Sequence, residues 1–94
     1  MEQEDVRRRL TEVHELLVKA RQELGIADEQ LAVFDETADD ARIRSLVSET
    51  PIANHEWTEA RRHADAYRRG RDLTQARVAE LERAQDELLA KLVV

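Results

Sequence analysis

Stepping alternately by four and three residues from Val6, the chain reads Val6, Leu10, Val13, Leu17, Ala20, Leu24, Ala27, Leu31, Phe34, Ala38, Ala41 and Ser45. Every position but the last is apolar. A 3.5-residue repeat held this long marks a helix with one narrow apolar stripe, the pattern of a coiled-coil seam. Such a stripe is covered only by another stripe, which restricts the chain to helix-on-helix folds. The phase runs through Gly25 unbroken. It predicts one helix over about 3–47, despite a cost of about 1 kcal/mol for a helix-interior glycine. A break at Gly25, with Asp28 as a new N-cap, is the alternative.

The same stepping resumes after Pro51: Ala53, Trp57, Ala60, Ala64, Tyr67, Arg71, Thr74, Val78, Leu81, Gln85, Leu88 and Leu92. Arg71, Thr74 and Gln85 interrupt this second ladder, which predicts a helix over about 51–92. Between the ladders lies a turn at about 48–50. Thr50 suits the N-cap and Pro51 the first helical position, where its missing N–H costs nothing. So short a turn makes the two helices antiparallel neighbours.

Placing Ser45 opposite Ala53 brings every rung of the first ladder onto a rung of the second. Phe34 then faces Ala64, Leu31 faces Tyr67, Trp57 faces Ala41 and Leu17 faces Leu81, so that large residues meet small ones near the turn. Charges flanking the seam complement each other in this register. On one flank Asp35 stands opposite Arg61, Asp28 opposite Arg68 and His14 opposite Glu82. On the other flank Arg44 stands opposite Glu56 and Glu23 opposite Arg77.

Composition supports a thin fold. The chain is 38% charged and 3% aromatic, with two glycines, one proline and no cysteine, which suits long helices and excludes a disulfide framework or thiolate metal site. A net charge of −6 argues against sequence-independent nucleic-acid binding. The opening MEQEDVRRRL is charged rather than apolar, unlike a signal peptide. No apolar run approaches the roughly 20 residues that span a bilayer. A cytoplasmic protein with no membrane association is expected, folded as a single all-α domain over residues 1–94.

A two-helix seam leaves apolar groups over. Val18, Ile26, Val33, Ile43, Val47 and Leu73 lie off the ladders, with Ala32, Leu46 and Leu89. A helix with a second apolar stripe usually has a second partner. The six named first form an expected dimer face, through which two hairpins would pair as a four-helix bundle.

Candidate sites are few. His55, Glu59 and His63 share one helical strip, but the two histidines stand about 12 Å apart along the axis, too far to share one ion. Arg61, Arg62, Arg68, Arg69 and Arg71 cluster without the interleaved aromatics that stack on bases. There is no glycine-rich phosphate loop and no nucleophile elbow, and a two-helix seam encloses no deep pocket. No catalytic residue, cofactor or metal is expected, and the chain is not expected to be an enzyme. At the turn, Asp39, Asp40, Glu49, Ile52, Asn54 and His55 form a candidate contact set for a protein partner.

The acidic stretch FDETADD, with Asp35, Glu36, Asp39 and Asp40, together with RVAELERAQDELL in the second helix, resembles the coiled-coil arm of the Gre-type transcript-cleavage factors. Those factors insert an acidic hairpin tip into the secondary channel of RNA polymerase. The resemblance covers the hairpin alone, and the family's glycine-containing tip motif is missing here. It implies a regulator of the transcription machinery that acts through an acidic tip. The bundle pattern by itself implies a non-enzymatic interaction or scaffold module.

Overall fold

The computed structural model describes residues 2–92. Two helices account for nearly all of them: α1 (Gln3–Ser48) and α2 (Pro51–Lys91), paired as an antiparallel hairpin with no strand among the described residues. No helix is long and apolar enough to cross a membrane. α1 runs through Gly25 without a break, so the alternative of a new helix starting at Asp28 does not hold.

The turn is Glu49 and Thr50. Glu49 adopts a left-handed conformation, φ 52°, and its N–H donates to the Ser45 carbonyl at 3.0 Å. This is an αL stop, a position usually given to glycine. Thr50 then caps α2. Its Oγ1 accepts from the Ala53 N–H at 3.1 Å, which satisfies one of the helix's orphan donors. At the far ends, Glu4 and Asp5 sit in the first turn of α1, where the helix dipole favours negative charge. Gln3 donates to the Lys91 carbonyl at 3.1 Å, giving a terminal C=O of α2 a partner.

The contacts divide the chain into two compact units, each built from both helices. One comprises residues 2–24 and 73–92 among those described. Its core is Leu17, Ala20 and Val78, with Leu24 and Leu81 packed against them. Val6, Val13 and Leu88 are also buried there. The other unit, Gly25–Asp72, has a core of small residues: Ala41, Ser45, Ala53 and Ala64. Its larger ladder residues, Leu31, Phe34, Trp57 and Tyr67, are only half-buried. Every buried residue in both units lies on a ladder, and no ladder position is exposed. Even Arg71 obeys this, keeping its stem in the seam while its guanidinium reaches Asp28.

Cross-helix partners differ from the sequence expectation in one consistent direction. Arg68 bonds Asp35 through both carboxylate oxygens, at 2.6 and 2.7 Å, rather than Asp28. Glu82 lies 3.9 Å from Arg21 rather than beside His14. Both shifts are one heptad. Tyr67 stacks on Phe34, ring centroids 5.0 Å apart, and its hydroxyl donates to Gln30. Helical side chains lean toward their own N-terminus. In an antiparallel pair each therefore reaches toward the other's displaced level, and partners meet further along than a flat ladder places them.

The same lean disposes of the remaining expected pairs. Asp35, taken by Arg68, is lost to Arg61, which instead lies 5.2 Å over the Trp57 ring. On the other flank neither Arg44–Glu56 nor Glu23–Arg77 forms. One heptad further along, Arg44 would find His63 and Glu23 would find Ala84, and neither carries a negative or positive charge to match.

A Cβ added at Gly25 or at Gly70 would meet no atom within 4 Å, and neither glycine has positive φ. Gly25→Ala and Gly70→Ala are therefore each expected to stabilise the chain by about 1 kcal/mol in urea unfolding. Glu49→Gly is expected to add about 1 kcal/mol by removing the left-handed penalty, and Thr50→Ala to remove about 1 kcal/mol with the cap. Circular dichroism melts of the four variants check all of these.

Candidate interaction surface at the turn

The C-terminal end of α1 and the N-terminal end of α2 enclose an open groove. Ile43 and Val47, one helical turn apart on α1, form one side with Ser48. Ile52 and Ala53 form the other, and Arg44 and Glu56 also line it. Val47 is 81% exposed and Ile52 74%. Aliphatic side chains so open to water, grouped around one concavity, differ from the single surface aliphatics common on soluble proteins. The local cause is the turn itself. The αL stop at Glu49 ends α1 abruptly, and Pro51 starts α2 at once, so Val47 and Ile52 flank the corner with nothing packed over them.

Both of these charges lack an ion-pair partner among the described residues. Arg44 uses only its backbone carbonyl, which accepts from the Ser48 hydroxyl at 2.7 Å.

A second groove in the same unit is lined by Asp35, Ala38, Asp39, Arg42, Trp57 and Arg61. Its charges are already matched. Asp39 accepts from Arg42 at 3.0 and 3.2 Å, Asp35 holds Arg68, and Arg61 covers the Trp57 ring. The hydrogen bond from Arg68 to Asp35, and then the charge of Asp35, hold that guanidinium above the usual arginine range. Arg71 is raised likewise, by hydrogen bonds to Asp28 and then Asp72. A raised arginine contributes stability below its ordinary value and loses it only as pH climbs through the higher folded value. These pairs are therefore indifferent to pH over the whole neutral range. They are also exposed, so screening keeps their contribution small.

The candidate contact set is spread about the turn. Ile52 lies in the apolar groove. Glu49 forms the αL stop, Asn54 accepts a hydrogen bond from the Ser45 hydroxyl, and Asp39 is tied to Arg42. Asp40 and His55 are exposed. The proposed dimer-face residues Val18, Ile26, Val33, Ile43, Val47 and Leu73 are all exposed. The structure brings Ile43 and Val47 together with Ile52, joining members of two sets that sequence kept apart. Val18 and Leu73 belong to the other unit. One exposed aliphatic was missed: Leu16, 43% exposed, in a shallow hollow with Glu12, Glu15 and Lys19. Its adjacency to the ladder residue Leu17 hid it, although a neighbour of a seam rung lies on the flank, outside the seam.

Among the described residues no three His, Asp or Glu side chains gather closely enough to hold a metal ion. No protein-family model, curated protein or solved structure matches the chain.

Proposed function

We propose that this chain is a non-enzymatic protein–protein interaction module that self-associates, two hairpins pairing into a four-helix bundle, and serves as a scaffold for further protein contacts. The observation that carries this reading is the open aliphatic groove of Ile43, Val47 and Ile52.

Burial supports it. A seam whose fully covered residues in the turn unit are Ala41, Ser45, Ala53 and Ala64 removes little apolar surface from water. Leu31, Phe34, Trp57 and Tyr67 are only partly covered. A second hairpin would cover what the first leaves open, at about 25 cal/mol for each Å² of apolar surface removed from water.

Light scattering of the full chain at micromolar concentration is expected to give the mass of two chains. Val47→Lys and Ile52→Lys, which place a charge in the groove without touching the seam, are expected to shift that mass to one chain while leaving helical circular dichroism unchanged. A one-chain mass for the unaltered protein at about 100 micromolar, a concentration at which a standard-size interface would be populated, would remove the reading.

A further inference from the structure

The turn groove is lined by one cation on α1, Arg44, and one anion on α2, Glu56, together with apolar Ile43, Val47 and Ile52. Neither Arg44 nor Glu56 has an ion-pair partner among the described residues. The opposite flank behaves otherwise: Asp35 is paired with Arg68, Asp39 with Arg42, and Arg61 with the Trp57 ring. Unmatched opposite charges on the two helices of one apolar groove have a simple consequence. Such a groove is its own complement under a two-fold rotation, because an isologous contact sets residue i against j and j against i.

We infer that the occupant of this groove is the same groove of a second copy, with Arg44 paired to Glu56 of the partner subunit and the reciprocal pair formed at the same time. This rests on the self-association proposed above and adds to it a symmetry and a pairing rule.

The charges choose among the possible two-folds. If the axis runs across the helices, α1 of one copy lies on α1 of the other, and Arg44 is not brought to Glu56 of the partner subunit. If the axis runs along the helices, α1 lies on α2 of the second copy with both turns at the same end. Arg44 then stands at the level of Glu56 of the partner subunit. Every helix is antiparallel to both neighbours, the up-down arrangement of simple four-helix bundles. The exposed aliphatic side chains that line the two grooves are covered in the same contact.

Charge exchange tests this in the full chain. Arg44→Glu leaves two acidic residues in the groove, and Glu56→Arg leaves two basic ones. Each variant alone meets like charge in its own dimer and is expected to self-associate at least about tenfold more weakly than the unaltered protein, measured by sedimentation equilibrium. Mixed one to one, the two variants are expected to recover a dimer, because each acidic groove then faces a basic one. The recovered species should contain one copy of each, as native mass spectrometry reads directly, and should weaken as salt is raised. The double variant Arg44→Glu, Glu56→Arg should also self-associate, its pairs reversed but intact. Circular dichroism of every variant guards against misfolding, and both positions are exposed. If the unaltered protein is a single chain throughout, self-association itself fails. If it dimerises but neither single variant weakens it, or the mixture sorts at random, the dimer uses another face and the inferred pairing is wrong.

Discussion

Burial of the two heptad stripes is the interaction on which the rest of the molecule depends. A stripe a few side chains wide can be removed from water only by a matching stripe at a fixed phase. The two-residue turn at Glu49 and Thr50 supplies the partner from the same chain. From this follow the absence of any exposed ladder residue, the antiparallel pairing of the helices, and the toleration of Arg71, Thr74 and Gln85 within the second ladder. All three are half-buried, and Arg71 turns its guanidinium out to Asp28. The same constraint limits the molecule. Each helix has one neighbour, so a ring as large as that of Trp57 is only half-buried.

The fold was legible because its signal is periodic and redundant. The ladders marked the seam, the unbroken phase carried α1 through Gly25, and Thr50–Pro51 located the start of α2 to the residue. Charge pairing was much less legible. The flat opposition of Asp28 with Arg68, or of His14 with Glu82, treats side chains as if they stood perpendicular to the helix. They lean, and the partners found at Asp35 and Arg21 lie in the direction of that lean. Candidate surface residues were legible as leftovers from the seam. Which leftovers share a concavity was not, because that depends on how the chain turns the corner between Val47 and Ile52. An αL conformation at a glutamate carries no sequence signal of its own.

The two flanks of the turn unit illustrate how an unfilled interaction differs from an exposed one. Exposed ion pairs such as Arg42–Asp39 and Arg68–Asp35 are complete, and they leave nothing for a partner to supply. The aliphatic groove is incomplete in two respects, hydrophobic and electrostatic, in the same place. Water satisfies the charges but not the aliphatic surface. Covering that surface with anything that lacks complementary charges would strand Arg44 or Glu56 against a surface unable to pair it. The proposed second copy would supply both at once, aliphatic cover and one charge of each sign.

If hairpin folding and hairpin pairing are linked in this way, stability depends on how much protein is present. The most direct measurement is the thermal unfolding midpoint of the full chain, followed by helical circular dichroism from about 1 to about 100 micromolar, since mass action couples association to folding. A midpoint that rises by several degrees over that range is expected. A midpoint independent of concentration, with a single-chain mass at both ends of the range, would contradict the claim that the seam is completed by one chain but its cover by two.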